Sequence, residues 1–289
     1  MNLPLISIII PVKAEVEALK VSLDSLRKSA YPQQKMQIVV VNDGGMKEIS
    51  RFLRQHYLEV EEVHYPEVKG SYYARNRGVE IARGEWLLFM DTDMQVPPET
   101  IPRIAEKCFP HYDYIATDYR LEVKESQPFY EKYFGYHEFP FHRIFEKEKY
   151  GGTAFLLVKK AVFKFIGGFN EQLFSGGDNL FGKQVHLCGF KTFFFNDVII
   201  WHRPKNMKQH LEAFFRRRKG MCELKKYNST IYGKKSNFFL FKKMYACILN
   251  VKNYQNNFAY SKQGFIFIII MELFRSYLEV VAYFKFKRS

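Results

Sequence analysis

Trp86-Leu87-Leu88-Phe89-Met90, followed at once by Asp91-Thr92-Asp93, is the stretch that decides the fold. Five consecutive apolar residues bounded upstream by Arg83-Gly84-Glu85 read as a strand buried on both faces, with two carboxylates at its exit. The preceding segment, 71–82, reads as a helix closed by Gly84 as its C-cap. Working back, 5–11 is a second continuous apolar run, and Val16, Leu19, Leu23 and Leu26 repeat with helical spacing. A third buried strand, 38–41, ends in Asn42-Asp43-Gly44-Gly45, and a helix at 47–57 leads to a short strand near 60–63. Buried strands alternating with helices predict an α/β fold with a mixed, mostly parallel central sheet and helices on both faces.

Downstream, 112–117 reads as a strand and 151–158, opening Gly151-Gly152-Thr153-Ala154, as another. A short helix at 160–166 stops at Gly167-Gly168-Phe169. A helix at 178–187 is entered through Ser175-Gly176-Gly177, and 192–200 returns to strand before Trp201-His202. The aromatic and charged stretch 127–149 has weak periodicity.

In open sheets of this kind ligands bind beyond the carboxyl ends of the strands. Those positions are polar here: Lys13 and Glu15 after the first strand, Asn42 and Asp43 after the second, Asp91 and Asp93 after the fourth. If the backbone stays extended, Asp91 and Asp93 project to the same side, two hard oxygen ligands for a divalent cation with open positions for phosphate oxygens. Taken alone, an Asp-x-Asp before Pro97-Pro98-Glu99 is more often a turn and helix-cap element. Asp178 at a helix start has the same double reading, N-cap or base, and a lone His202 beside Trp201 is more often packed than ligating.

The ordered set of blocks favours the functional alternative for Asp91, Asp93 and His202 and leaves Asp178 between cap and base. Ile10-Pro11-Val12-Lys13-Ala14-Glu15, Val40-Val41-Asn42-Asp43-Gly44, Ala74-Arg75-Asn76-Arg77-Gly78, the stretch 82–93, Gly167-Gly168-Phe169-Asn170-Glu171 and Gly176-Gly177-Asp178 resemble the family 2 glycosyltransferases, inverting enzymes of GT-A fold, over roughly residues 3–220. The resemblance implies that Pro11 and Glu15 shape the nucleotide pocket, Asp43 binds the base, and Arg75 lies near base or phosphates. It further implies that Asp91 contacts ribose and metal, with Thr92 beside it on the nucleotide-sugar side. Asp93 is then the main ligand of Mn²⁺ or Mg²⁺, His202 completes that site, and Asp178 is the catalytic base. Gly152, Thr153 and Gly177 are acceptor-side candidates. The donor is expected to be UDP- or GDP-linked, and the acceptor a glycan or a lipid-linked, cell-envelope hydroxyl. Two departures are visible: Ala14 stands where the family often has Asn, and Thr92 replaces the middle acid of a common Asp-Asp-Asp run.

The 289 residues are 47% apolar and 17% aromatic, which excludes a disordered chain. A net charge of +14 first points to a polyanionic partner, but it is uneven. Residues 1–202 carry 25 basic and 26 acidic side chains, residues 203–289 carry 19 and 4. The expected organisation is a catalytic domain at 1–220, its nucleotide-sugar half about 1–95 and its acceptor half about 96–220. A basic, amphipathic helical extension follows at 221–289. That extension suits either an anionic membrane surface or packing against the catalytic domain or a second subunit in a homodimer. No nucleic-acid motif accompanies the charge, so a nucleic-acid-binding protein is the weaker alternative, with a GT-A-like nucleotidyltransferase as another. The four cysteines form no CxxC motif, and the longest apolar run, 265–271, has seven residues against the roughly 20 of a spanning helix. With no signal-like N-terminus, the expected location is cytoplasmic, peripheral on the inner face of the cell membrane.

Overall fold

The computed structural model describes residues 3–121, 141–203 and 206–227, with isolated positions between 270 and 285. The strands are β1 Ile6–Val12, β2 Met36–Asp43, β3 Glu61–Tyr65, β4 Trp86–Met90, β5 Met94–Gln95, β6 Tyr114–Leu121, β7 Phe155–Lys159 and β8 Thr192–His202. The helices are α1 Val16–Arg27, α2 Lys47–His56, α3 Ser71–Ile81, α4 Thr100–Cys108, α5 Phe141–Glu148, α6 Lys160–Ile166, α7 Gly177–Leu187 and α8 Met207–Tyr227. The chain divides into two compact units, β1 to β8 with α1 to α7 in the first and α8 in the second. Helix α8 runs through residue 220, where the sequence reading ends the catalytic domain. Most of the amphipathic extension, and the part of the 127–149 stretch before Phe141, lie outside the described residues.

Eight strands form one sheet in the order β3-β2-β1-β4-β7-β6-β8-β5. β3, β2, β1 and β4 are mutually parallel; β7 runs antiparallel to both β4 and β6, β8 is parallel to β6, and β5 opposes β8. The sheet is therefore mixed and mostly parallel, as the alternation predicts. Period-2 alternation sends Ile6, Ile8 and Ile10 into a core with Leu19, Leu23 and Leu26 of α1, Ile49 and Leu53 of α2, and Ile101 and Ile104 of α4. The opposite face takes Ile9 and Phe89. There Gly78 of α3 meets Ile9, and Phe89 packs with Phe163 and Phe169 at 5.3 and 4.9 Å. Helices thus cover both faces.

Several expected boundaries shift. Gly151 to Ala154 precedes β7 as loop, β6 continues to Leu121, and the β3 strand starts at Glu61. The two-residue β5 is too short to be read from sequence, whereas helix α4 was overlooked although Ile101, Ile104, Ala105 and Cys108 repeat with helical spacing and are buried. Gly84 is not the C-cap of α3: the helix ends at Ile81, with Ala82 extended as cap, and Gly84 is not among the positive-φ glycines. Its role is steric. A Cβ there would stand 2.5 Å from the Ser7 nitrogen and 2.8 Å from the Leu5 carbonyl oxygen, where β4 enters beside β1. Backbone cannot move aside as a side chain can. Gly84→Ala is expected to destabilise the fold by about 1–3 kcal/mol, read as a lower denaturation midpoint in urea with an unchanged slope.

Candidate active site

β4, buried along its whole length, delivers Asp91 to the carboxyl edge of the sheet, and the Asp91 N–H donates to the Ala154 carbonyl at 3.0 Å. The next turn is braced from beneath. Ser22, a polar residue on the buried face of α1, donates its hydroxyl to the carbonyls of Thr92 and Met94 at 2.7 and 2.9 Å, and its oxygen lies 3.1 Å from the Met94 N–H. β5 then pairs Met94 with His202, and the Arg203 N–H donates to the Asp93 carbonyl at 3.1 Å. This pairing sets His202 Nε2 at 3.3 Å from Asp93 Oδ1. His202 Nδ1 lies 2.8 Å from the Arg203 carbonyl oxygen. A carbonyl only accepts, so Nδ1 carries a proton, and Nε2 is the ring nitrogen turned toward Asp93. The ring is 4% exposed and stacks on Tyr119 at 5.4 Å.

Asp91, Asp93 and His202 offer ligand atoms that all lie within 4.8 Å of one another. Two carboxylates and one oriented imidazole fit a divalent cation such as Mn²⁺, and the tautomer fixed by Arg203 is the one a metal requires.

Helix α3 supplies the opposite charge. Arg75, 3% exposed, donates from Nη2 to Asp91 Oδ1 at 2.5 Å and from Nη1 to the Ser71 carbonyl at 3.3 Å. One turn earlier, Tyr72 donates its hydroxyl to Asp178 Oδ1 at 3.1 Å. Asp178 lies in the first turn of α7, and the Asn179 N–H donates to the same oxygen at 2.9 Å. Burial raises the Asp178 pKa above the usual carboxylate range; the two hydrogen bonds and the Arg75 charge pull it down but do not prevail. The N-cap of α7 is Gly176, so Asp178 stands two residues inside the helix and not at the cap that the sequence also allowed.

The remaining expected residues fall into distinct roles. Asp43, at the end of β2 and 5% exposed, accepts from the Lys69 and Gly70 N–H groups at 2.7 and 2.9 Å, pinning the loop that starts α3. Pro11 is partly exposed in β1 opposite Val41, and Glu15 is exposed at the start of α1, making no capping hydrogen bond. Thr92 is partly exposed in the braced turn. Gly152 faces Asp178: a Cβ added to it would stand 4.0 Å from Oδ2. Thr153 is buried. The Gly177 backbone approaches protein, because an added Cβ would lie 2.8 Å from the Tyr72 ring. Within Ala74-Arg75-Asn76-Arg77-Gly78 only Arg75 meets the acids. Asn76 clamps Phe169 through both its backbone groups at 2.8 and 3.0 Å, and Arg77 pairs with Glu171 at 2.7 Å. Sequence reasoning missed Tyr72 and Ser22. Tyr72 was signalled by its i, i+3 spacing to Arg75, Ser22 by a hydroxyl interrupting an apolar helical stripe.

With this geometry in place, comparison with known proteins is decisive. The model of glycosyl transferase family 2 matches residues 7–167. The chain belongs to that family. It is accordingly a glycosyltransferase. Glycosyltransferase AglE of Haloferax volcanii is 29% identical over 77% of this chain and 75% of its own length. An undecaprenyl-phosphate 4-deoxy-4-formamido-L-arabinose transferase of Pseudomonas fluorescens is 32% identical over 39% of this chain and 34% of its own. Among solved structures, mannosyltransferase PcManGT of Pyrobaculum calidifontis, in complex with GDP-Man and Mn²⁺, aligns with a TM-score of 0.62 at 16% identity, covering 77% of this chain and 63% of that one. S. aureus TarS 1-349 in complex with UDP-GlcNAc aligns at 0.59 and 18%, covering 82% and 76%. These likenesses place the fold among GT-A transferases.

The bracing by Ser22 has a measurable consequence. Ser22→Ala removes the three hydrogen bonds that its hydroxyl makes to the Asp91 to Met94 turn, and it is expected to weaken Mn²⁺ binding about 10-fold, measured by calorimetry, with secondary structure unchanged.

Proposed function

We propose that this chain transfers a sugar from a UDP- or GDP-linked donor to the hydroxyl of a glycan or lipid-linked acceptor, by inverting single displacement with Asp178 as base. The observation that carries the reading is that one turn of α3 joins the two halves of the chemistry. Arg75 binds Asp91 of the Asp91, Asp93, His202 cluster while Tyr72 binds Asp178. Mn²⁺ or Mg²⁺ bound there supplies charge neutralisation for the departing diphosphate. Asp91, Asp93 and His202 hold it, and Arg75 fixes the Asp91 carboxylate and adds a positive charge beside it.

Asp178 accepts the proton of the acceptor hydroxyl as that oxygen bonds to the anomeric carbon and the bond to the diphosphate breaks. Its raised pKa makes it a stronger base than an exposed aspartate, and protonation below that pKa abolishes the function, so the rate falls on the acid side. The GDP-Man and UDP-GlcNAc complexes of the structural neighbours support the donor class, and the undecaprenyl-phosphate relative supports a lipid-linked acceptor.

The place of action is read from the C-terminal residues. No helix among the described residues is long and apolar enough to cross a membrane. Ile270, Leu273, Phe274 and Tyr277, spaced i, i+3, i+4, i+7, are 54%, 66%, 37% and 63% exposed, and the chain ends in Lys285, Lys287 and Arg288. Such a stripe fits peripheral attachment to the anionic inner face of a cell membrane.

Thermal shift with UDP-GlcNAc and GDP-mannose, each with and without Mn²⁺, tests the donor assignment. One of the two is expected to stabilise the protein only with Mn²⁺, and Asp93→Ala to lose that stabilisation; equal stabilisation in the variant overturns the metal site. Asp178→Asn is expected to keep donor binding and lose turnover by at least about 100-fold.

A further inference from the structure

The base reading leaves open which oxygen of Asp178 does the work and what prepares it. The hydrogen bonds from the Tyr72 hydroxyl at 3.1 Å and the Asn179 N–H at 2.9 Å converge on Oδ1 of this carboxylate. Oδ2 is the oxygen on the Gly152 side, 4.0 Å from where a Cβ on that glycine would stand. The Tyr72 side chain is itself held. It is 7% exposed, its ring lies against Gly177, where a Cβ would approach to 2.8 Å, and it packs on Phe169 at 5.5 Å, with the Arg75 guanidinium 6.0 Å from its centroid. Burial raises its phenol pKa far above neutrality, so the hydroxyl keeps its proton and donates it in the hydrogen bond to the Asp178 carboxylate.

Resting on Asp178 as the base, we infer that Tyr72 is a positioning residue. With the Asn179 N–H it saturates Oδ1, and so makes Asp178 a one-sided base whose Oδ2 takes the proton of an acceptor hydroxyl arriving from the Gly152 side. Two consequences follow. The carboxylate cannot rotate without breaking both hydrogen bonds, so the lone pair that accepts the proton keeps one direction. The Tyr72 hydrogen bond also stabilises the ionised form, so that more of the base is deprotonated near neutral pH despite its burial. The neighbouring titratable groups are Arg75 on α3, whose charge acts in the same sense, and Tyr114 on β6, a buried phenol that stays neutral. The Gly-Gly before Asp178 belongs to the same device. Gly176 takes φ +86, and Gly177 leaves the space that the Tyr72 ring fills.

The test is Tyr72→Phe in the full chain, which keeps the ring and removes only the donor. With ¹³C-labelled aspartate, the carboxyl resonance absent from Asp178→Asn is assigned to Asp178 and titrated in both proteins. Tyr72→Phe is expected to raise its midpoint by about 0.5–1 pH unit, with little change in melting temperature. The acid limb of nucleoside diphosphate release from UDP-GlcNAc or GDP-mannose should move up by the same amount, with KM for the donor unchanged. A titration curve superimposable on the wild type overturns the positioning role while leaving Asp178 as base. Retained turnover in Asp178→Asn removes the base itself, and this inference with it.

Discussion

A guanidinium charge that is 3% exposed is costly to bury unless an opposite charge is held against it, and for Arg75 that charge is Asp91 at 2.5 Å. Much of the first unit is arranged so that this pair can form. Asp91 is held at the exit of a strand buried on both faces, and α3 must lie close to the sheet for Arg75 to reach it. Gly78 permits that approach, since a Cβ there would meet Ile9 at 2.5 Å. Asp43 anchors the start of the same helix through Lys69 and Gly70. Remove any one of these supports and a buried charge loses its partner, which is far more costly than losing an exposed ion pair.

The pair also leaves the site electrostatically incomplete. Asp91 and Asp93 bring two carboxylates within a few ångströms and Arg75 sets one positive charge against them, with the His202 imidazole beside them. A divalent cation held there would turn this negative excess into a positive one, the sign that the proposed diphosphate donor calls for. The sheet explains why the ligands converge. β5 is only two residues long, yet by pairing antiparallel with β8 it fixes His202 beside Asp93, although more than a hundred residues separate them in the chain. α3 does the same for Asp178, joined to Arg75's neighbour Tyr72 across 106 positions.

Much of this was legible in the residues themselves. The continuous apolar runs of β1, β2 and β4 mark strands buried on both faces, the acids after β4 mark the ligand edge, and the ordered blocks carry the family. What was read less well depended on contacts with distant chain. Gly84 has the sequence look of a helix stop, but its constraint is the backbone of Leu5 and Ser7. Gly177 looks like an opening for a sugar, whereas a tyrosine ring fills the space. Of the Ala74 to Gly78 block only Arg75 was given a role in the site, and Asn76, Arg77 and Gly78 hold the helix to the Phe169 turn or to the sheet.

The sequence by itself determined the fold class, the family and the identity of the acids, because local periodicity and short ordered motifs are written in neighbouring residues. Only the tertiary structure decided which oxygen of Asp178 takes the Tyr72 and Asn179 hydrogen bonds, which nitrogen of His202 faces Asp93, and that Ser22 and Tyr72 serve the site. Those properties are set by hydrogen bonds spanning 70 and 106 residues of chain, and by the proton that the Arg203 carbonyl draws to Nδ1. Long-range pairings of that kind have no local signature, since they exist only once the sheet has brought its carboxyl edge together.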